Sequence, residues 1–571
     1  MKINKIKLEN FRSFKGTHEI EFAPINLFFG ANSVGKSSIF KALKHFNQLK
    51  KDDVFIGESS ASVLIIFSSN IIEESWEEYS DSQDIEILEA IEEKQWALDF
   101  FRNFQLNANS FFVKKGIELK EVEGNTFQVN HTQYGLNDIW FFEYYEGVDT
   151  YDYTWDFNKV RINLSHPIFE SHPFLKLKSS KKSFEILNEC FERFDGQDKG
   201  YAPYLLTEII KSKKFDSLGR SEDLNLLMDM AHESLKVKSF GSYKTIKKSI
   251  PVLFWVVRAV YKAMPDLGEL VHLGPLRTVP QMMFDELNPD IFDPRFLDGG
   301  KGRKSKQERI DSYTGDAAWK SILNSDNLHA SQENIARYSG CENKKLIPLD
   351  KRVNTWLLGW FNAPYEIQFH RKFVFTAYQA EKLQKISTDK LKIEDLSSES
   401  ARVVFKNLQN GSVSPANEIG VGISQLTPVI VNALETKSFS VEQPELHIHP
   451  RMQTVLGDLF VFEGLFSAVE GTGDVTVTTR DIEGQSVERH FNRKKVKDES
   501  FILVETHSEH LILRLLKRIR EGILKPDDLA IYYFENDKGK TKSSRIQVDS
   551  DGEFTTPWPD GFFDERLEEL F

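Results

Sequence analysis

The chain has 571 residues, 40% of them hydrophobic and 28% charged, with 45 Phe and a formal net charge of −13. Such a length exceeds what one core serves and predicts about two to four domains, and the apolar content excludes a disordered chain. The acidic balance speaks against a globally basic nucleic-acid binder; the basic clusters at 236–248, 301–309 and 493–497 read as solvated faces rather than phosphate tracks. The two cysteines, Cys190 and Cys341, stand far apart, in neither a disulfide framework nor a zinc spacing. No apolar run reaches the ~18–20 residues that span a bilayer, and "MKINKIKLEN" lacks the apolar core of a signal peptide. The expectation is a cytoplasmic protein without a membrane segment.

The first residues alternate apolar and charged side chains and predict a strand over Ile3–Leu8, a turn at "ENFRSFKG" (9–16) and a second strand at "HEIEFA" (18–23). An apolar strand then runs into Gly30-Ala-Asn-Ser-Val-Gly35-Lys36-Ser37, which fits G-x-x-x-x-G-K-[ST], the phosphate-binding P-loop. Glycines let backbone N–H groups close around phosphates, and the helix that follows points its positive end at them. Asn32, Ser33 and Ser38 complete the predicted cradle. Lys36 would reach the β and γ phosphates, and the Ser37 hydroxyl would ligate Mg²⁺.

Between this loop and the next informative motif lie almost four hundred residues. Residues 71–96 are acidic and read as a solvated helix, 105–175 as β-rich, and 176–264 as helical without a sustained heptad. "LGPLRTVP" (273–280) returns the chain to the nucleotide-binding part, and 298–315 reads as an exposed basic loop. Strands are predicted at 365–379 and 401–411, then a glycine turn and apolar helix at 416–434. The strand "FSVEQPE" (439–445) follows, then a charged hairpin at 474–491. An apolar strand ending in "ETHSEH" (505–510) and two strands with a turn over 529–554 complete the chain. His447, His449 and Glu442 invite a metal-site reading, but Pro444 and Pro450 flank the histidines and favour a loop.

"FRSFKG", the P-loop, "VGISQ" (421–425), "EQPELHIHP" (442–450) and "ETHSEH" occur in the order seen in ABC-type ATPase heads. The chain resembles the superfamily of RecF, SMC and the overcoming-lysogenisation-defect (OLD) proteins. "PWPDGFF" (557–563) and "LGPLRTVP" narrow the resemblance to a bacterial OLD-like branch. It implies an α/β fold: an ABC-type P-loop ATPase head with a large mixed α+β insertion between Walker A and the signature. Residues 1–50 would form the N-terminal lobe, 51–270 the insertion, 271–415 a return segment, and 416–571 the C-terminal lobe. By the same resemblance Gly422 and Ser424 would touch the γ-phosphate of ATP on a second subunit, which implies a homodimer or higher homo-oligomer. Glu442 would hold Mg²⁺, "HIHPRMQ" would be the D-loop and His507 the γ-phosphate-sensing histidine. Arg12 is a candidate nucleotide contact and, equally, a surface arginine at a strand end.

The sequence departs from ABC heads at one position that matters. The residue after the Walker B carboxylate, usually Glu, is Gln443, and losing a general base costs about 10²–10⁴ in rate. Three readings stay open: Gln443 only orients water and hydrolysis is slow, Glu445 or His507 serves instead, or the protein is an ATP-binding clamp. Too few residues follow "ETHSEH" for the Toprim nuclease of many OLD proteins. The expected function is therefore an ATP- and Mg²⁺-dependent ATPase that controls a separate nuclease or other effector chain, as in Septu-like anti-phage modules. A RecF-like DNA clamp, with nucleic acid as a partner, and an ATP-stabilised scaffold are the alternatives.

Overall fold

Ile25–Gly30 and Phe501–Glu505 are buried at every position, the mark of strands covered on both faces of a parallel sheet. The computed structural model describes residues 2–31, 34–46, 49–68, 111–122, 125–136, 139–148, 159–163, 165–167, 267, 270–279, 285–286, 313–325, 348–372, 400–436, 438–469, 472–480, 485–494 and 501–557. In chain order the elements begin with β1 (Lys2–Phe11), β2 (Phe14–Glu21), β3 (Ile25–Gly30), α1 (Lys36–His45), β4 (Ser60–Ser68), β5 (Phe111–Val122), β6 (Asn125–Leu136), β7 (Ile139–Val148) and β8 (Lys159–Ile162). They continue with β9 (Val271–Leu273), β10 (Asp285–Glu286), α2 (Asp316–Ser325), α3 (Leu349–Asn354), a π-helical turn (Thr355–Trp360), β11 (Tyr365–Lys372), β12 (Ser400–Asn407) and β13 (Val413–Pro415). The last are α4 (Val421–Glu435), β14 (Ser438–Glu442), α5 (Pro450–Leu465), β15 (Phe466–Val469), β16 (Val475–Arg480), β17 (Ser486–Arg493), β18 (Phe501–Glu505), α6 (Glu509–Arg520), β19 (Leu529–Asp537) and β20 (Lys540–Ile546).

These elements form two compact units. The first comprises residues 1–22, 30–267 and 534–544, the second 23–29, 268–533 and 545–571. The first unit carries an antiparallel sheet in the order β2-β1-β4-β5-β6-β7-β8. Its register places Ile65, Val113, Tyr134 and Phe142 in one row across four strands, and all four are buried. The opposite face of the same strands carries the row Lys114, Gln133 and Glu143, beside Leu64 on β4. The β-rich reading of 105–175 holds for the described residues. The predicted helices at 71–96 and 176–264 lie outside them.

The second unit is built on a sheet of order β20-β19-β3-β18-β14-β9, whose β3, β18, β14 and β9 run parallel. The last residue of β3 and the distal parts of β19 and β20 belong to the first unit. Leu27, Val441, Val504, Leu426, Leu459 and Leu515 sit in one core, each worth roughly 1.5–3 kcal/mol when fully buried. A small sheet, β15-β17-β16, contains the charged hairpin read from the sequence. The fold is thus α/β, as expected of a P-loop ATPase head. The second strand starts at Phe14 rather than 18, because the turn after β1 occupies only Arg12 and Ser13. Among the described residues no helix is long and apolar enough to cross a membrane.

A buried ion triad ties α5 to α6. Asp458 accepts from Arg514 Nη1 and Arg518 Nε, both at 2.7 Å. Burial works against the Arg518 charge, but Asp458 and Glu521 outweigh it and raise its pKa. Removing the carboxylate would leave buried Arg518 with Glu521 alone, and breaking a buried pair costs about 3–5 kcal/mol. Asp458→Ala is therefore expected to lose about that much stability in denaturant unfolding, whereas exposed Lys517→Ala is expected to change it little.

Candidate functional site

The P-loop is held open by sterics. Gly30 has φ 130° and Gly35 φ 102°, in the region that favours glycine. A Cβ on Gly30 would stand 2.0 Å from the Phe534 carbonyl oxygen, and one on Gly35 2.3 Å from both Ser13 Oγ and Thr541 Oγ1. Thr541 braces the loop further, its hydroxyl donating to Val34 O at 2.7 Å and its amide to Ser13 O at 3.0 Å. Ser13 Oγ in turn lies 3.2 Å from Ser38 Oγ.

Helix α1 starts at Lys36 from Gly35 with no side-chain cap, and a helix start is where the dipole favours an anion. Lys36 is buried, and its ammonium donates to Gly30 O and Ala31 O, both at 2.8 Å. Ser37 and Ser38 are half-buried in the first turn of α1. Asn32 and Ser33 lie outside the described residues. Together the glycine cradle, the uncapped turn and Lys36 fit a polyphosphate, and Ser37 supplies the hard oxygen donor that Mg²⁺ prefers.

Arg12, left open as a nucleotide contact or a strand-end arginine, pairs within the chain. Its guanidinium grips fully buried Asp53 (Nε–Oδ1 2.7 Å, Nη2–Oδ1 2.6 Å), beside His45 Nδ1 at 3.3 Å. Burial pushes the Asp53 carboxyl up, but the His45 and Lys50 hydrogen bonds and the charges of His45 and Arg12 win and hold it below 3.8. This pair ties the turn after β1 to Asp53.

In the second unit, the parallel register sets Glu442 opposite Glu505 at the ends of β14 and β18. Glu442 is gripped from the neighbouring strand β9: His272 Nε2 lies 3.0 Å from Glu442 Oε1 and His272 Nδ1 2.8 Å from Ser440 Oγ. A carboxylate only accepts, so His272 donates to Glu442 through Nε2–H. Gln443 takes a left-handed backbone, φ 45°, and its amide donates to Glu505 O at 2.7 Å. Arg277, 4% exposed, donates from Nη2 to Glu442 O at 2.8 Å and Gln443 O at 3.3 Å. Burial lowers its pKa to about 10, against the fields of Glu445 and Glu442. Tyr313, whose ring lies 5.3 Å from His272, has its hydroxyl pushed up by burial and by the Glu442 and Glu505 charges.

The two candidate bases besides Gln443 are bound to each other. Glu445 accepts from the Thr506 hydroxyl and the His507 amide, both at 2.7 Å. Burial raises its pKa in spite of these bonds and of Arg277. His507 precedes α6 rather than opening it, because Ser508 is the N-cap. His449 accepts from Arg451 N at 3.2 Å and caps α5, and His447 is exposed in a left-handed turn with φ 64°. Ser424 is buried with its hydroxyl on Val421 O at 3.0 Å. A Cβ on Gly422 would stand 2.6 Å from His447 O, so this glycine is required by a contact inside the chain.

The residues missed from sequence were Ser13, Thr541, His272, Arg277 and Tyr313. The only signal for Arg277 was its place in "LGPLRTVP".

Residues 1–252 match the family of the AAA ATPase domain, and residues 524–571 match a family described as a protein of unknown function, DUF3696. A 44-residue stretch is 41% identical to Arcadin-4 of Pyrobaculum calidifontis, covering 8% of this chain and 6% of that protein. Similar solved structures include the Smc head domain of Pyrococcus furiosus bound to the C-terminal domain of ScpA (11% identity, 100% and 98% of the two chains, TM-score 0.33). Another is the SMC head domain of Thermotoga maritima (10% identity, 96% and 100%, TM-score 0.33). A third is the recombination mediator RecF with a bound ATP analogue (11% identity, 95% and 98%, TM-score 0.26). The match to the AAA ATPase domain over residues 1–252 supports an ATPase in general.

Gly35→Ala forces a side chain into a left-handed position at a cost of about 1–3 kcal/mol. Its expected signature is an affinity for a fluorescent ATP analogue about tenfold or more below wild type. Asp53→Asn is expected to lower the melting temperature at neutral pH. Because the folded-state pKa of Asp53 is depressed, its stabilisation is present above 3.8 and lost as pH falls through the lowered value. The gap between wild type and variant should therefore close in melts taken at progressively lower pH.

Proposed function

We propose that the protein is an ATP-binding, Mg²⁺-dependent ATPase of low turnover that dimerises head to head and controls a separate effector, a nuclease in bacterial anti-phage defence. The observation that carries the nucleotide reading is the P-loop itself. Its two glycines are obliged by close contacts, Lys36 is turned into the loop, and the helix that follows has no cap of its own. In this reading Gly30, Asn32, Ser33, Gly35, Lys36 and Ser38 bind ATP, while Ser37 and Glu442 hold the Mg²⁺ that neutralises phosphate charge. The half-buried Glu442, oriented by His272, suits a hard cation ligand or a water bound to one.

Low turnover follows from chemistry at Gln443. An amide orients water but takes no proton, and the carboxylate of Glu445 already accepts two short hydrogen bonds. The dimer reading rests on the family resemblance and on the exposed start of α4, where Gly420 and Val421 face solvent. Ser424 points its hydroxyl inward, so contact with a second subunit would run through Gly420–Gly422 and the α4 amides rather than that side chain. The effector and the defence role come from the resemblance alone. Gln443 also favours one further reading, an ATP-stabilised scaffold without hydrolysis.

Turnover of ATP by wild type, Lys36→Ala and Gln443→Glu, with mass followed by light scattering, separates these readings. Slow Mg²⁺-dependent hydrolysis by wild type, none by Lys36→Ala, and a roughly 10²-fold gain in Gln443→Glu are expected. ATP-dependent dimers with no turnover in either wild type or Gln443→Glu would support the scaffold instead.

A further inference from the structure

Arg277 is an unusual buried cation. Among the described residues no carboxylate forms an ion pair with it, and its Nε has no hydrogen-bond partner. Among the described residues its guanidinium donates to main-chain carbonyls: Glu442 O and Gln443 O through Nη2, and Gln425 O at 3.4 Å through Nη1. Gln425, buried in the second turn of α4, clasps the Arg277 backbone in return. Its Oε1 accepts from Arg277 N at 3.0 Å and its Nε2 donates to Arg277 O at 2.6 Å. Side chain and main chain of the two residues thus lock the segment 270–279 to α4, and the guanidinium carries that lock to the peptide after Glu442.

The geometry does more than fill space. A planar fork reaches two chain segments at fixed angles, which an ammonium on a flexible stem does not. Its target is the peptide that joins Glu442 to Gln443, where the chain turns into the left-handed region and a non-glycine residue needs external support. The same segment grips the Glu442 side chain through His272. Glu442 is therefore oriented at both its carboxylate and its carbonyl from one ten-residue stretch. That stretch is bolted to the helix whose first residues are exposed, Val421 at 56%.

We propose that Arg277 is a positioning residue of the ATPase centre, which fixes the Glu442–Gln443 peptide to α4 so that contacts at Gly420–Gly422 and the setting of Glu442 move as one. This rests on the ATPase reading above. Arg277 touches no reacting atom in this scheme; it acts through Glu442 and Gln443, and Gln425 is its partner on the helix.

The experiment compares wild type with Arg277→Lys and Gln425→Leu. It measures ATP turnover, equilibrium binding of a fluorescent ATP analogue, melting temperature, and hydrogen–deuterium exchange with and without Mg²⁺-ATP. The expected result for Arg277→Lys is a kcat about 10²-fold lower, the cost of a small misplacement of a catalytic group, with KM, analogue affinity and melting temperature close to wild type. Mg²⁺-ATP should protect peptides over 25–45 in all three proteins and alter exchange over 421–435 in wild type only. A purely structural arginine would lower melting temperature, affinity and kcat together, and that pattern overturns the proposal. So does an undiminished response over 421–435 in Arg277→Lys, or the absence of that response in wild type. Should wild type lack turnover yet show P-loop protection, the exchange comparison alone decides. Should P-loop protection be missing in wild type, the nucleotide reading falls, and the proposal with it.

Discussion

The parallel register of β3, β18 and β14 is the constraint on which the second unit depends. Pairing Ile502 with Ile25 and Ser438 with Phe501 leaves no freedom at the strand ends, and Glu442 must stand beside Glu505. A slip of one residue would turn Val441 and Val504, both fully buried, toward the opposite face. The strand pairing therefore fixes where the polar residues arrive. Carboxyl ends of parallel strands are where open α/β sheets present their chemistry, and here the residues that follow each strand, Gln443–Glu445 and Thr506–Ser508, are joined by short hydrogen bonds.

Much of this was legible in the sequence for a physical reason. A P-loop needs its glycines because of backbone geometry, so the residue pattern and the structural requirement coincide at Gly30, Gly35 and Lys36. The strands β14 and β18 were equally plain, being apolar runs ended by a carboxylate. What supports them was not legible. Thr541 braces the P-loop from 506 positions beyond Gly35, through a carbonyl and not through any side chain a motif would show. Arg277 was hidden for the same reason: its acceptors are main-chain oxygens of Glu442 and Gln443, and a carbonyl leaves no mark on the sequence.

Two residues show how a motif and its surroundings compete for the same side chain. Gly422 fits a signature that meets another subunit, yet its missing Cβ is already demanded by His447 O within the chain. Arg12 fits a nucleotide contact, yet Asp53, itself bonded to His45, holds it on its own turn. In both cases the intramolecular contact is enough to explain the residue, and a role toward ligand or partner has to be argued on other grounds.

The two buried arginines of the second unit make that distinction sharper. Arg518 sits against Asp458 and Glu521, and the pairing more than repays its burial, so its charge is favoured and its function is to join two helices. Arg277 is buried to a similar degree without such a pair, and its pKa falls to about 10. A guanidinium hydrogen-bonded to neutral carbonyls, with no ion pair among the described residues, is a costly way to fasten a loop, since a well-packed apolar side chain would often serve stability as well or better. What a hydrophobic replacement could not do is hold the peptide between Glu442 and Gln443 at a fixed angle to α4. The cost is intelligible when the angle, rather than the stability, is what the sequence has to specify.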